Sequence, residues 1–295
     1  MKQRLGVLCA SGSATAFGVT IVVQRRLARD GLPVATALGI RFGVAAALLL
    51  AYLALRRAPL LPVRGERRAA LLLGAVGYGG EAALFYLALQ RGSAGAVSLL
   101  FYAYPAIVTL LEVALRLRPP RLVAFGLMAL STAGVVLIVV TGDAVSISAA
   151  GVGFALASAL SFASYLLLSQ RFLAASHPAA TGANVAAGAS LALLTVAVAT
   201  GLPHVPANDV PLLLLNGSAT AVAFALLYTA LGQLAASATA VVMTLEAFVA
   251  VGLAAAALGE RIRPWQLVGG AVVLVAAVLV ARSGREVRAE SAFPG

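Results

Sequence analysis

Apolar residues fill ten long stretches of this chain, and charged residues fall almost entirely between those stretches. A helix needs about 20 apolar residues to cross a hydrocarbon core, and each stretch reaches or approaches that length. Period-2 alternation is absent, and the stretches are about twice as long as a membrane-barrel strand. The pattern predicts an all-α integral membrane protein with ten transmembrane helices. Their predicted bounds are residues 5–23, 33–55, 69–89, 93–115, 121–141, 150–173, 179–201, 210–231, 236–258 and 265–281.

The composition supports a membrane protein, because 62% of the residues are apolar and only 11% are charged. The net charge of +11 comes mainly from arginines at predicted helix ends, without the interleaved aromatic residues of a nucleic-acid-binding surface. We therefore expect the lipid bilayer, and no nucleic acid, as the surroundings of this chain.

The distribution of basic residues predicts the orientation. With the N-terminus inside, fourteen basic residues flank inner helix ends and six flank outer ends. Because inner loops carry the excess of Lys and Arg, both termini are predicted to be cytoplasmic. The first stretch does not fit a cleaved signal peptide, since it is too long and Ala14-Thr15-Ala16 lies in its middle.

The chain contains an internal repeat that rarer residues reveal. QRRLA at 24–28 recurs as QRFLA at 170–174. The further matches are Phe17 with Phe162, Tyr86 with Tyr228, Pro120 with Pro264 and Gly126 with Gly270. The halves are predicted to be residues 1–143 and 144–295, within one membrane domain.

Each half holds five predicted helices, so the second half enters the membrane from the side opposite to the first. The two halves are then inverted repeats, a plan that secondary transporters use around a central cavity near the membrane midplane. The repeat aligns Glu81 with Ala223, Glu246 with Tyr104 and Arg41 with Ala186. The scaffold is therefore symmetric, whereas the charges are not.

The five-plus-five plan, LGER at 258–261 leading into RPWQ and helix ten, and Glu246 within helix nine resemble the EamA-type transporters of the drug/metabolite transporter superfamily. Within it, the chain is most similar to the aromatic amino-acid and paraquat exporters. The resemblance implies a bacterial-type inner-membrane carrier that exports amino acids. The family pattern often has Glu-Pro in helices four and nine. Here helix four has Tyr104-Pro105 and helix nine has Glu246-Ala247, so the pattern predicts no proline kink in helix nine.

Semi-polar stripes follow one face of helices one and six. They consist of Ser13, Phe17, Thr20 and Gln24, and of Ser158, Phe162, Tyr165 and Ser169. Hydroxyl groups avoid lipid, so these faces point inward, to a cavity or to interhelical hydrogen bonds. The matched stripes favour the cavity and make Phe17, Gln24 and Tyr165 candidate substrate contacts.

Helix four carries a comparable stripe of Ser98, Phe101, Tyr102, Pro105, Thr109 and Glu112. Pro105 cannot donate to the carbonyl of Phe101, so the helix is predicted to bend there and to present a free acceptor. The acceptor could hold a substrate ammonium group or a water, or a neighbouring helix could satisfy it. Phe101, Tyr102 and Pro105 are thus candidate contacts, and Glu112 is expected to pair with Arg116 near the surface.

Two charges in the first repeat are level in the membrane. Helix rise places Glu81 and Arg41 each about 12 Å below the outer surface of the hydrocarbon core. An Arg-Glu pair lowers the cost of burying both charges, so they are predicted to form an ion pair, either structural or in contact with substrate.

Glu246 is the stronger functional candidate, because no basic residue lies at its depth in helices eight to ten. It is expected to bind a substrate ammonium group or a proton, or to be a protonated packing residue. Tyr78 beside Glu81 adds an aromatic surface, and a mixture of rings and carboxylates suits a zwitterion with an apolar side chain.

Other chemistry finds little support in the sequence. His177 and His204 lie in different loops without other ligands nearby, so no metal site or cofactor is expected. Paired catalytic groups are absent, and the chain is not predicted to be an enzyme. We expect a monomeric secondary transporter or facilitator that exports amino acids by alternating access. The alternative is a proton-coupled exporter of cationic or lipophilic drugs.

Overall fold

The computed structural model describes residues 2–91, 94–117, 122–140, 147–173, 175–201, 205–258 and 264–291. These residues form ten helices, of which three are interrupted. The seven continuous helices are helix 1 (Lys2–Arg29), helix 2 (Val34–Leu55), helix 5 (Leu122–Val140), helix 6 (Ala149–Phe172), helix 7 (Pro178–Ala199), helix 8 (Val210–Leu231) and helix 10 (Pro264–Ser291). The interrupted ones are helix 3 (Arg67–Leu72, Leu73–Tyr78, Gly79–Leu89), helix 4 (Ala94–Phe101, Tyr104–Ala114) and helix 9 (Ala236–Met243, Leu245–Leu258).

The predicted all-α membrane architecture is confirmed. Within the described ranges, six helical stretches are long and apolar enough to cross a membrane, and shorter apolar stretches lie in helices 4, 5, 9 and 10. Helix 8 has the predicted bounds, but helices 1 and 10 are longer than predicted. Both extensions carry arginines, which favour helix as well as leucine does but cannot lie in hydrocarbon. Hydropathy therefore marks the membrane-embedded part of these helices and not their ends.

Helices 4 and 9 are both broken near their middle. Helix 4 stops at Phe101 and restarts at Tyr104, with Pro105 in the first turn of the new segment, as the missing proline donor predicts. Helix 9 is interrupted at Thr244, although it contains no proline. The Thr244 hydroxyl and N–H both donate to the carbonyl of Val241, at 2.7 and 3.3 Å. The break in helix 9 is therefore not a proline kink, and its cause differs from that of the break in helix 4.

The helices pack in the arrangement that inverted repeats require. Helix 1 packs along helix 8, and its repeat equivalent, helix 6, packs along helix 3. Helices 2 and 7 pack on each other, as do helices 5 and 10. Two hydrogen bonds repeat the same symmetry. Ser13 donates to the carbonyl of Ala223 at 2.9 Å, and Ser158 donates to the carbonyl of Glu81 at 3.3 Å.

Glycines bring the backbones of helices 3 and 7 into direct contact. A Cβ at Gly188 would overlap the carbonyl oxygen of Leu71, and one at Gly74 would overlap that of Val185. Lipid offers no hydrophobic drive for helix association, so close backbone approach supplies the packing energy instead. Helix 3 adopts a π turn over Leu73–Tyr78 along this contact.

We expect Gly188→Ala to lower the midpoint of thermal unfolding in detergent, because its methyl group must displace the backbone of helix 3. Overpacking of this kind costs about 1–3 kcal/mol. The matched control is Gly153→Ala on helix 6, where an added Cβ meets no atom within 4 Å. Equal midpoints for the two variants would contradict the close contact.

Candidate functional site

Aromatic rings from both repeats meet at the centre of the bundle, around Tyr78. Its ring centroid lies 4.9 Å from that of Phe224, 5.1 Å from Tyr165 and 5.5 Å from Phe42. Phe17 stacks on Tyr78 at 6.3 Å. All five side chains are buried. The predicted contacts Phe17, Tyr78 and Tyr165, which come from helices 1, 3 and 6, are therefore brought together.

Arg41 reaches this cluster from helix 2. Its Nε donates to the Thr220 hydroxyl at 2.6 Å, and its guanidinium lies 5.0 Å from the centroid of the Phe42 ring. A further hydrogen bond joins it to the Tyr78 hydroxyl. The side chain is only 5% exposed, so these contacts replace the water that would otherwise surround its charge.

Glu81 is also buried, but it does not form the predicted direct ion pair with Arg41 in the part of the chain that the structure describes. Its Oε1 instead accepts a hydrogen bond from Ser158 at 3.1 Å. The charges of Glu81 and Arg41 interact through space without contact. Helix 3 packs on helix 6 along this face, so a serine on helix 6 reaches the carboxylate.

Glu246 lies in the first turn of the second segment of helix 9, two residues after the break at Thr244. The residue is half-buried, and its carboxylate makes no hydrogen bond to the described residues. It interacts electrostatically with Arg41 and Glu81. Sequence reasoning missed the first of these interactions, because it compared depths only within neighbouring helices. The sequence could have indicated this interaction, because Arg41 and Glu246 lie at similar depths in the membrane.

The remaining predicted residues lie around the break in helix 4 or farther away. Phe101, Tyr102 and Pro105 are buried, and the Phe101 ring lies 5.6 Å from that of Phe162 at the edge of the central cluster. Gln24 is two turns along helix 1 from Phe17, outside the cluster.

Three polar residues differ from their predicted roles. Glu112 is 4% exposed and accepts hydrogen bonds from the hydroxyl of Ser237 at 2.6 Å and from its N–H at 3.2 Å, so it is not a surface residue. Ser13 and Ser158 form interhelical hydrogen bonds and do not line an open face. Each of these contacts joins the two repeats. Predictions made one helix at a time do not include contacts between repeats.

Thr220 is a site residue that the sequence did not indicate. The offset of 142 that relates Tyr86 to Tyr228 also aligns Tyr78 with Thr220. Arg41 therefore binds hydroxyl groups at equivalent positions of the two repeats. The repeat alignment contained this signal. A single threonine in an apolar helix, however, does not indicate a site until its partner Arg41 is known.

We expect Ser158→Ala to lower the thermal midpoint more than Ser13→Ala, its repeat equivalent. Ser158 serves the Glu81 carboxylate as well as a carbonyl, whereas Ser13 serves only the Ala223 carbonyl. Hydrogen bonds to charged groups contribute about 1.5–3 kcal/mol, against about 0.5–1.5 for neutral ones. Equal losses in detergent-purified protein would show that the carboxylate does not depend on Ser158.

Comparison with known proteins gives a family and a fold. The model of the EamA-like transporter family matches residues 4–140 and 149–282. A solved structure titled "Crystal structure of protein" superposes with a TM-score of 0.75, covers 92% of this chain and 98% of its own, and shares 17% identity. No curated protein matches significantly. The two family matches cover most of a multi-pass membrane protein, and the chain belongs to the EamA-like transporter family.

Proposed function

We propose that this protein is a secondary transporter or facilitator that exports neutral and aromatic amino acids and related small metabolites by alternating access. It acts as a monomer in a bacterial-type inner membrane. The observation that carries the proposal is Glu246, a half-buried residue whose carboxylate lacks a hydrogen-bond partner among the described residues and interacts with Arg41, Glu81 and Tyr78 of the central cluster.

The charges and rings suit the parts of an amino acid. Glu246 retains accessible surface and can accept an ammonium group. Arg41 is the only cationic residue that interacts with Glu246 in the described part of the bundle. The positive charge of Arg41 attracts the carboxylate of the substrate. The rings around Tyr78 offer faces and edges to an apolar or aromatic side chain.

The alternative is a proton-coupled exporter of cationic or lipophilic drugs. Two carboxylates and one guanidinium interact at the centre, so the fully ionised group carries an excess negative charge. Such a site also suits a monovalent cation, or a proton that leaves when a cation arrives. The amino-acid proposal is preferred because Arg41 gives the site a positive charge that a simple cation does not need.

Flux through purified protein in liposomes separates these functions. We expect labelled aromatic and neutral amino acids to exchange across the membrane in the presence of an unlabelled gradient. A lipophilic cation should compete weakly. Strong competition together with flux that requires a pH gradient would favour the drug exporter, and absence of amino-acid exchange in well-folded protein would refute the main proposal.

We expect Glu246→Gln to weaken substrate binding by roughly tenfold or more, because a charge-assisted hydrogen bond is lost. Binding is measured by the concentration dependence of exchange and by ligand-induced thermal stabilisation. Glu66→Gln is the control, since Glu66 lies in the connection between helices 2 and 3 and accepts from the N–H of Ala175 at 3.0 Å. Wild-type affinity in Glu246→Gln would show that the site lies elsewhere. If the variant instead loses only its response to a pH gradient, Glu246 carries a coupling proton.

The excess of basic residues predicts cytoplasmic termini. We expect a reporter fused after Gly295 to be active only in the cytoplasm, and the same reporter inserted after Pro206, between helices 7 and 8, to be active only outside. The opposite pattern would reverse the orientation of the carrier.

A further inference from the structure

Gln170, from the repeated QRFLA sequence, bridges three helices on one side of the bundle. Its Nε2 donates to the carbonyls of Leu231 and Leu234 at 3.0 and 2.6 Å, and its Oε1 accepts from the N–H of Ala236 at 3.1 Å. One amide on helix 6 therefore holds the end of helix 8 and the start of helix 9. The start of helix 1 lies on this same side, which we call the termini side.

Helix 4 holds the same end of helix 9. Glu112 accepts from the N–H and the hydroxyl of Ser237, in the first turn of helix 9, at 3.2 and 2.6 Å. The Tyr104 hydroxyl donates to the carbonyl of Ala240 at 3.2 Å, one turn before the break at Thr244. The second segment of helix 4 and the first segment of helix 9 are therefore joined at both ends.

The opposite side of the bundle lacks these contacts in the described residues. Among the described residues, the second segment of helix 4 packs on the first segment of helix 9, and the other two segments show no comparable packing. Helices 4 and 9 are thus joined on the termini side.

The repeat allows a position-by-position comparison of the two sides. Gln24 is the equivalent of Gln170, yet its side-chain nitrogen is buried and has no partner among the described residues. The equivalents of Glu112 and Ser237 are Ala254 and Gly95, which have no polar side-chain atoms. The Glu112–Ser237 contact therefore has no polar equivalent on the other side.

We propose that Gln170 and Glu112 form the latch of a gate on the termini side, that the structure is the state closed to that side, and that both contacts release when the site opens towards the termini. The proposal rests on the proposed function only in requiring that the bundle opens alternately to the two sides of the membrane. The groups they hold are mostly helix ends, which entering water can satisfy, so release is reversible. The break at Thr244 separates the latched segment from Glu246, so each segment can tilt by itself.

The gate is tested by labelling a cysteine placed behind it. Thr239 is fully buried in the latched segment, and Cys9 is the only native cysteine, so Thr239→Cys in a Cys9→Ala background gives a single reporter. A membrane-impermeant maleimide is added to either side of proteoliposomes. With the latch intact we expect slow labelling from both sides. Glu112→Ala with Gln170→Ala should accelerate labelling from the termini side by about tenfold, the size expected from losing two such contacts.

Two further variants keep the test decisive. Ser237→Ala removes one donor to Glu112 and should give a smaller acceleration even if the double variant folds poorly. Gln24→Ala is the repeat-matched control and should leave labelling from the termini side unchanged. Unchanged labelling in the double variant and in Ser237→Ala would overturn the latch, as would equal acceleration by Gln24→Ala. Because labelling needs no substrate, its outcome is independent of whether amino acids are transported.

Discussion

The burial of Arg41 is the constraint on which the centre of this protein depends. A guanidinium far from water is stable only where hydrogen bonds and opposite charges surround it. Thr220 supplies one acceptor from the second repeat, and Tyr78 supplies another from the first. If the repeats separated, this charge would either be exposed or lose its hydrogen-bond partners. Arg41 therefore fixes the relative position of helices 2, 3 and 8 at the depth where the carboxylates lie.

Symmetry and asymmetry have separate roles around this charge. The serines of helices 1 and 6 bind equivalent carbonyls, and the hydroxyls that hold Arg41 occupy equivalent positions. These pairs belong to the scaffold that duplication created. Arg41, Glu81 and Glu246 have apolar or neutral equivalents, so the charged site has a single orientation within a symmetric bundle. A carrier of this design can expose one asymmetric site to two sides through nearly equivalent motions of its halves.

The sequence predicted the parts of the fold that are encoded locally or by repetition. Hydropathy indicated the ten helices, rare residue matches indicated the inverted repeat, and Pro105 indicated the break in helix 4. The break at Thr244 has no comparable signal, because its geometry depends on a side-chain hydrogen bond to Val241. The burial of Glu112 and the Arg41–Glu246 interaction were missed for a related reason. Both depend on which helices of opposite repeats are neighbours, and hydropathy carries no information about pairing.

The two broken helices link the charged site to the packing of the bundle. Tyr104 and Glu246 are repeat equivalents beside the two breaks, yet they differ in what they contact. Tyr104 donates to the first segment of helix 9, whereas Glu246 lies in the first turn of the second segment and retains accessible surface. A ligand drawn to Glu246 therefore acts on one side of the Thr244 break, while Tyr104, Glu112 and Gln170 hold the other side. Binding can tilt one segment of helix 9 relative to the other only because the helix is interrupted between them. A continuous helix 9 would transmit any tilt to both ends at once.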